Sequence, residues 1–346
     1  MSRFTRVALA LMLLFGLFAL AACDTAEEEP SPAEETQEEV SEEVQEETED
    51  EPQVTQTDLV FGMAVHAPPA EALFWGVVEK GAKDAAEAMG VTLKSGGSRD
   101  PSEQSGLIED YVSSGADGII VSLANPDAMK DAIQKAVDAG IPVITINSGV
   151  SVYKEYGAIT HVGQTEFVAG QGAGEKFNEF GYTKALCVNH EEANIALEER
   201  CDGLADTFNG EVERFNIAST GIEDPAGSLA TIQDKLTSDP SFDAVLTLNP
   251  TIAMSALDAI KAAGGGQALA TFDLSPAVLE AIQAGEIEFA IDQQQYLQGY
   301  LPVVFLYLYN VNANTVGGGL PVLTGPGFVD ASNAADVVEL SGQGTR

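Results

Sequence analysis

Short apolar strands alternate with segments of helical period from residue 58 to the end of the chain, and this alternation constrains the fold more than any other feature. The predicted strands are 59–65, 91–93, 117–123, 141–147, a short strand before His161, 184–189, 212–218, 243–249, 268–273 and 287–292. The predicted helices are 70–89, 101–114, 127–139, 192–209, 225–238, 250–263 and 276–284. Such alternation is typical of parallel sheets covered by helices on both faces. Ten strands in two runs favour two doubly wound α/β domains, and a closed barrel is the structural alternative.

The N-terminus has the layout of a secretory signal. Arg3 and Arg6 precede an apolar run that ends in Leu20-Ala21-Ala22-Cys23. A positive start, an apolar centre and small residues at the cleavage point are the parts of a signal peptide. The Leu-Ala-Ala-Cys end is similar to a bacterial lipobox, so we expect residues 1–22 to be a lipoprotein signal and Cys23 to be lipidated. A plain signal or a short membrane anchor is the alternative. The expected location is the outer face of the cytoplasmic membrane.

An acidic segment follows the signal. Residues 24–57 contain 15 Asp or Glu, no Lys or Arg and few apolar residues. A segment of this kind repels itself and cannot bury enough surface to fold, so 23–57 is predicted to be a disordered linker between the lipid anchor and a folded domain. Binding of cations or of a partner is the alternative. The net charge of −38 leaves no basic patch, and nucleic acid is therefore not an expected partner.

Two further cysteines, Cys187 and Cys201, lie at the end of a predicted strand and in the helix after it. Outside the cytoplasm they are candidates for a disulfide, and two buried free thiols are the alternative. A zinc site built from both cysteines and His190 is disfavoured, because the spacing is irregular and no fourth ligand presents itself. We expect no metal and no cofactor.

The junctions where strands give way to helices carry polar side chains. At five of them a capping residue precedes a proline, and these pairs are Asp100-Pro101, Asn125-Pro126, Asp224-Pro225, Asn249-Pro250 and Ser275-Pro276. Proline suits the first helical turn, where its missing N–H would be unpaired in any case. In open parallel sheets these junctions lie at the carboxyl edge, where ligands bind. Each residue alone is typical of a cap, but together with His66, Asn147, Asp273 and Gln293 they indicate a cleft between two domains.

Sequence signals for catalysis are scarce. The chain contains no Gly-x-Ser-x-Gly elbow, no His-Glu-x-x-His and no phosphate loop ending in Gly-Lys-Ser/Thr. The glycines of 169–177 resemble a dinucleotide fingerprint only loosely, and their place inside a helical pattern predicts close helix packing instead. We expect no catalytic residues, with a hydrolase as the alternative.

The folded region resembles the sugar-type periplasmic binding proteins, the ribose- and galactose-binding branch that serves ABC importers. The resemblance covers about residues 58–335. It rests on the order and spacing of several segments: FWGVVEKGAKDAAEAMGV (74–91), GADGIIVSLANPDAM (115–129), AGIPVITINSG (139–149), HVGQTEFVAGQGAGE (161–175), TFDLSPAVLEAIQAGEIEFAIDQQ (271–294) and GYLPVV (299–304). The implied fold is the type I fold of that family, here in lipoprotein form.

The resemblance implies ligand-binding residues position by position. Two adjacent aromatic residues after the first strand sandwich the sugar ring in ribose-binding relatives, and here they are Phe74 and Trp75, the latter the only tryptophan of the chain. A buried core pair is the alternative for these two. The polar contacts of the family fall on a further set of positions: His66, Asn147, Ser148, Asn249, Asp273 and Gln293. Planar amides and carboxylates suit neighbouring hydroxyl groups because they form paired hydrogen bonds.

Two departures from the ribose-binding pattern make ribose itself a doubtful ligand. Asn147-Ser148 stands where those proteins have Asp-Arg. A second family arginine aligns with Glu198, while Arg200 lies two residues away, so Glu198, Arg200 and Asn194 all remain candidates for ligand contact. An ordinary salt bridge on the helix surface is the alternative for Arg200. Another monosaccharide, a polyol such as an inositol, or a small furanose signal stays open as the ligand.

The resemblance also implies a chain that crosses three times between two lobes and a hinge formed by those crossings. The expected N-terminal lobe is 59–162 plus 294–322, and the expected C-terminal lobe is 163–293 plus 323–340. Ligand captured in the cleft would stabilise a closed form, which an ABC permease recognises. We expect a monomer without enzymatic activity that binds a monosaccharide or polyol. The alternatives are a nucleoside-binding lipoprotein, a carbohydrate or signal sensor of the same fold, and a regulator related to LacI, which the signal peptide and the charge oppose.

Overall fold

A computed structural model describes residues 56–346. The predicted signal peptide, the predicted lipidation site Cys23 and the acidic linker as far as residue 55 lie outside the described residues. Within 56–346, no helix is both long enough and apolar enough to span a bilayer.

Twelve strands and ten α-helices form the described part of the chain. The strands are β1 (Val60–Val65), β2 (Thr92–Gly97), β3 (Gly118–Ser122), β4 (Val143–Ile146), β5 (Thr160–Gly163), β6 (Lys184–Asn189), β7 (Glu211–Asn216), β8 (Ala244–Thr247), β9 (Ala268–Phe272), β10 (Phe289–Asp292), β11 (Val322–Leu323) and β12 (Gly327–Asp330). The helices are α1 (Leu73–Met89), α2 (Pro101–Ser113), α3 (Pro126–Asp138), α4 (Glu166–Phe180), α5 (Ile195–Thr207), α6 (Pro225–Ser238), α7 (Pro250–Ala262), α8 (Pro276–Gln283), α9 (Gln295–Asn312) and α10 (Ala334–Gly342).

The strands form two six-stranded sheets with the same pattern of neighbours. The first sheet has the order β11-β5-β4-β3-β1-β2, and the second has the order β12-β10-β9-β8-β6-β7. All pairings are parallel except that of β10 with β12. The predicted pair of doubly wound parallel sheets is confirmed, and the barrel alternative is wrong. His161 lies inside β5 rather than after a short strand, which corrects the sequence prediction.

Helices cover both faces of each sheet. We call the first sheet with α1, α2, α3 and α9 the first lobe, and the second sheet with α4, α5, α6, α7, α8 and α10 the second lobe. Alternate strand residues enter different cores: Phe61 and Met63 of β1 pack with α1 and α9, whereas Ala64 packs with α2 and α3. In β6, Leu186 faces the α6–α8 side and Cys187 faces α4 and α5. Two buried faces per strand explain the continuous apolar runs in the sequence.

The chain passes between the lobes three times. It leaves the first sheet after β5, returns after β10 through α9, and leaves again between β11 and β12. The three passages lie together, since Thr324 N donates to Gly163 O at 2.7 Å and Thr324 Oγ1 donates to Gln293 O at 2.7 Å. The residue boundaries given for the two lobes from the sequence remain a prediction.

Each lobe contains one pair of helices that cross at glycine. A Cβ atom on Gly299 of α9 would overlap Val78 O of α1, and a Cβ on Gly203 of α5 would overlap Phe167 O of α4. Gly170 is equally constrained by Arg200 O. The predicted helix-packing role of the glycines in 169–177 is thereby confirmed, because only the lack of a side chain lets these backbones approach.

Five helices begin at the predicted prolines. The side chains of Asp100, Asp224, Asn249 and Ser275 accept a backbone N–H of the first turn, as a cap does. Asn125 makes no such bond, so its predicted role as a cap is wrong. The first helix begins at Leu73 rather than at residue 70, and the Leu73 side chain is 67% exposed.

Candidate functional site

A cavity of about 360 Å³ lies between the carboxyl edges of the two sheets. Both lobes line it, mostly with residues that directly follow a strand or begin a helix. The lining residues are His66, Ala67, Ala72, Leu73, Phe74, Trp75, Arg99, Pro101, Asn125, Asn147, His190, Glu191, Glu192, Asn194, Leu197, Arg200, Ser219, Thr220, Ile222, Glu223, Leu248, Asn249, Thr251, Asp273 and Gln293. Its size and its convergent polar groups suit a small molecule.

Equivalent positions of the two lobes supply matching polar groups to this cavity. The matched pairs are His66 after β1 and His190 after β6, Asn125 before α3 and Asn249 before α7, and Asn147 after β4 and Asp273 after β9. A ligand between the lobes therefore meets imidazole and amide groups from two sides. The last pair differs in chemistry, because Asn147 supplies a neutral amide at the position where Asp273 supplies a carboxyl group.

Asn147 and Asp273 share an unusual backbone conformation. Their φ angles are 59° and 68°, in the left-handed region that few residues other than glycine adopt. Asn and Asp tolerate this region best among residues with a side chain. The turn out of β4 and the turn out of β9 thus restrict both positions to short polar residues, and the same turns aim them at the cavity.

Gln293 links Asn147 to Asp273 across the lobes. Asn147 Nδ2 donates to Gln293 Oε1 at 3.0 Å, and Gln293 Nε2 donates to Asp273 Oδ1 at 2.7 Å. Burial raises the pKa of the Asp273 carboxyl to about 7, while nearby Arg200 and the bond from Gln293 oppose the rise. Since Gln293 follows β10 and lies at one of the three passages, this chain of bonds joins the cavity to the connection between the lobes.

Arg200 is buried and forms an ion pair with buried Glu166. Its Nε donates to Glu166 Oε2 at 2.7 Å, its Nη1 donates to Leu248 O at 3.3 Å, and its guanidinium lies 4.4 Å from the ring centre of Phe272. The surface salt bridge that was the alternative for Arg200 is therefore wrong. A guanidinium has five N–H donors, and three of these have no partner within the described residues. Because the side chain lines the cavity, those donors are available to a ligand.

Aromatic side chains form one wall. The rings of Phe74 and Trp75 lie 4.9 Å apart and nearly perpendicular, and the His66 ring lies 4.8 Å from Trp75. Trp75 is buried and packs in the core of the first lobe, whereas Phe74 is half-buried. The core pair and the ligand platform are thus not exclusive, because both rings line the cavity and Trp75 also packs in the core. Burial lowers the pKa of His66, which keeps its ring neutral near pH 7.

Contacts across the mouth hold the lobes against each other. Ile195 N donates to Ala124 O at 3.2 Å, and Arg99 Nη1 lies 3.2 Å from Glu223 Oε1. Asn194 caps α5 through its Oδ1, and its Nδ2 lies 3.5 Å from His66 Nε2. Since Arg99, Glu223, Asn194 and His66 all line the cavity, these contacts join the two lobes beside it.

Most residues predicted from the sequence meet in this cavity. His66, Phe74, Trp75, Asn147, Asn194, Arg200, Asn249, Asp273 and Gln293 line it. Ser148 does not line it, and its hydroxyl donates to Asn147 Oδ1 instead. Glu198 also lies outside, where it pairs with Asn189 and Arg214. Of the three candidates at the cap and in the first turns of α5, Asn194 and Arg200 line the cavity, and ligand contact itself stays a prediction.

Sequence reasoning missed several residues of the cavity. Asn125 was predicted to be a cap and His190 was named only in a disfavoured zinc site, although both occupy the counterparts of predicted positions in the other lobe. Comparing the two runs of strands position by position would have found them. Arg99, in the lining, and Glu166, which pairs with Arg200 from outside the lining, carried no such signal because their partners are distant in sequence.

Cys187 and Cys201 form a disulfide beside the cavity. Among the described residues, no cluster of three or more His, Cys, Asp or Glu side chains is arranged to hold a metal. The cavity offers imidazoles, amides, aromatic faces, the Arg200 guanidinium and the Asp273 carboxyl, with Arg99 and three glutamates also in its lining. Such groups suit hydroxyl groups as hydrogen-bond partners.

Comparison with known proteins places this geometry in a family. The family model described as a periplasmic binding protein domain matches residues 62–311. The fold superposes on the crystal structure of a carbohydrate transporter from Acidothermus cellulolyticus 11B in complex with myo-inositol, with a TM-score of 0.81 and 41% identity, covering 84% of this chain and 100% of that chain.

Curated relatives are more distant. The xylose/arabinose-binding protein XylF of Sulfolobus acidocaldarius is 29% identical over 65% of this chain, and the match spans 60% of the XylF length. The ribose import binding protein RbsB of Haemophilus influenzae is 25% identical over 67% of this chain and 79% of its own length.

Proposed function

The chain belongs to the periplasmic binding protein family, and from that premise we propose that it captures a neutral monosaccharide or polyol between its lobes and delivers it to an ABC import permease. Capture is reversible and involves no chemistry on the ligand. Asp273, Gln293 and Arg200 bind hydroxyl groups, while Phe74 and Trp75 face the C–H surface of a ring. The observation that carries the proposal is the convergence of these groups, from both lobes, on one cavity.

Similarity to named proteins supports the ligand class. The structure with 41% identity is of a carbohydrate transporter in complex with myo-inositol, and the curated relatives are named for xylose, arabinose and ribose. Asn147-Ser148, in place of the Asp-Arg of ribose binders, argues against ribose. A cyclitol such as myo-inositol is therefore the first ligand to test, followed by pentoses, hexoses, acyclic polyols and nucleosides.

Binding is measurable without a label because Trp75 is the only tryptophan of the chain and lines the cavity. Titration of the full chain in mild detergent with each compound is expected to change Trp75 fluorescence and to raise the unfolding midpoint for at least one sugar or polyol. Asp273→Asn is expected to weaken that response, whereas Glu109→Gln, at an exposed site of the first lobe, is expected to leave it unchanged. A response to nucleosides alone, or to no compound, contradicts the proposal.

The anchor and the place of action are part of the same proposal. Lipidated Cys23 would hold the protein on the outer face of the cytoplasmic membrane through the acidic linker. The Cys187–Cys201 disulfide supports an oxidising compartment. Labelling with radioactive palmitate tests this: label is expected on the natural chain and is expected to be absent from Cys23→Ser, and a natural chain without label contradicts a lipid anchor.

The capture mechanism requires the lobes to move. We propose that the three passages act as a hinge, that the lobe boundaries are those expected from the sequence, and that the protein acts as a monomer. Small-angle scattering is expected to show a smaller radius of gyration with ligand than without it, at a constant monomer mass. Delivery to a permease predicts that deletion of the gene abolishes uptake of the ligand. Intact uptake with lost sensing would favour a signal sensor of the same fold.

A further inference from the structure

The Cys187–Cys201 disulfide closes the segment that forms one side of the cavity. Cys187 lies in β6 and Cys201 lies in α5, 14 residues later, with their Cα atoms 5.9 Å apart. Six cavity residues fall between them: His190, Glu191, Glu192, Asn194, Leu197 and Arg200. The bond therefore ties the helix that carries Arg200 to the strand that precedes the cavity.

The same segment joins the lobes. Ile195 N donates to Ala124 O, and Asn194 Nδ2 approaches His66 Nε2. Both partners belong to the first lobe. A shift of the start of α5 relative to β6 would thus disturb ligand contacts and lobe contacts together.

Apart from the disulfide, polar ties join α5 to its own sheet: Glu198 pairs with Asn189 and Arg214, and Arg200 donates to Leu248 O. The loop between β6 and α5 runs through Ala193, whose φ of 66° is unfavourable for alanine. In the first lobe the third residue of α1 is Trp75, a large side chain packed in the core, whereas the third residue of α5 is the smaller Leu197. Both sulfurs are buried in the core between α5 and β6. The disulfide is the covalent tie between β6 and α5.

We propose that Cys187 and Cys201 are positioning residues for the ligand: their disulfide holds Asn194 and Arg200 in place and thereby sets affinity, beyond any contribution to the stability of the fold. A binding segment that is held in its bound position loses less conformational freedom on binding. A cross-link acts on the freedom of the closed loop, here the segment that lines the cavity.

The test compares Cys187→Ala/Cys201→Ala with Ile232→Ala in the full chain. Ile232 lies on α6 in the other core of the second lobe, so its loss destabilises the lobe without touching α5. With myo-inositol as the probe and Trp75 fluorescence as the readout, the dissociation constant is expected to rise about tenfold in the double variant. It is expected to stay unchanged in Ile232→Ala. Equal constants in the double variant and the unsubstituted chain overturn the proposal.

Hydrogen exchange tests, without a ligand, whether the disulfide holds residues 190–200 in place. The affinity measurement rests on the proposed function, because it requires a chain that binds myo-inositol. Hydrogen exchange requires no ligand, so it tests the role of the disulfide even if the unsubstituted chain does not bind myo-inositol. Amides of 190–200 are expected to exchange faster in the double variant, while those of α6 keep their protection. Unchanged exchange in 190–200 overturns the proposal. Cys187→Val/Cys201→Ala serves if the first variant does not fold, and failure of both to fold overturns it too, because the bond would then be required by the fold itself.

Discussion

The two lobes share one architecture but bring different chemistry to the cavity. Their sheets have matching strand orders, and equivalent positions carry His66 and His190, Asn125 and Asn249. The first lobe adds the aromatic pair and a neutral amide at Asn147. The second lobe adds a carboxyl group at Asp273 and the buried pair of Arg200 with Glu166. The fold thus determines where polar groups emerge, and a few substitutions on that common frame determine what they bind.

The two lobes also hold their cavity residues in place by different interactions. Trp75 is fixed by packing among apolar neighbours of the first lobe. Arg200 is fixed by an ion pair, a carbonyl and an aromatic ring. A packed apolar side chain tolerates small changes in the shape of its neighbours, whereas removing the partner of a buried charge strongly destabilises the fold.

The largest effect is expected from Glu166→Gln in the second lobe. Removing one charge of a buried pair leaves the other uncompensated, which costs about 3–5 kcal/mol of unfolding free energy. Glu109→Gln breaks the exposed pair with Lys135 in the first lobe, whose side chains are 46% and 60% exposed, and is expected to cost less than about 1 kcal/mol. Denaturant unfolding of both variants measures the contrast. Similar losses would show that the Arg200 pair is not isolated from solvent.

The helix crossings are expected to respond alike in the two lobes. Gly299→Ala in α9 and Gly203→Ala in α5 each force a methyl group against a backbone carbonyl, and each is expected to cost about 1–3 kcal/mol. Gly106 in α2 has open space around its Cβ position, so Gly106→Ala is the matched control. The control is expected to stabilise the chain by about 0.5–1 kcal/mol through helix propensity. A loss of unfolding free energy in only one of the two glycine variants would show that the helix crossings of the two lobes are not equivalent.

Asp273 makes the second lobe sensitive to pH, whereas Asn147 at the equivalent position does not titrate. The folded pKa of about 7 lies above the ordinary value of 3.8. Between these values the folded chain holds a proton that the unfolded chain has released. The unfolding free energy of the natural chain, relative to Asp273→Asn, is therefore expected to fall as pH rises from about 4 to about 7, by at most about 1.4 kcal/mol per pH unit. A difference that does not vary with pH would mean that Asp273 is solvated.

The smallest effect is expected where the first lobe is made to resemble the second. Trp75→Leu copies Leu197 and retains an apolar side chain in the core, but removes the aromatic face from the cavity. The expected loss of ligand affinity is about 0.5–1.5 kcal/mol, the range of aromatic stacking beyond buried area. Calorimetry is the appropriate measurement, because the variant lacks its only tryptophan. Unchanged affinity would assign Trp75 to the core alone.

Local patterns in the sequence predicted the sheets and the polar groups at their carboxyl edges. The cavity residues Phe74, Trp75, Asn194 and Arg200 were instead implied by the resemblance to sugar-type binding proteins. Buried strands appear as apolar runs, and polar residues after strands mark the carboxyl edge. Strands β11 and β12 were missed because β11 has two residues and β12 is only partly buried, so that neither appears as an apolar run. Glu166 was missed because its partner lies 34 residues away on another helix. Asn125 was misread, since an Asn before Pro has the same sequence signature whether its side chain caps the helix or faces a cavity.

The three side-by-side passages of the chain restrict how the lobes can move. One connection would permit the lobes to swivel and twist, but three connections that are hydrogen-bonded to one another leave bending as the soft direction. Under the proposed function, ligand contacts scattered over both lobes would all change one angle between them. A permease that recognises this angle would then receive one mechanical signal, whatever the detailed shape of the bound molecule.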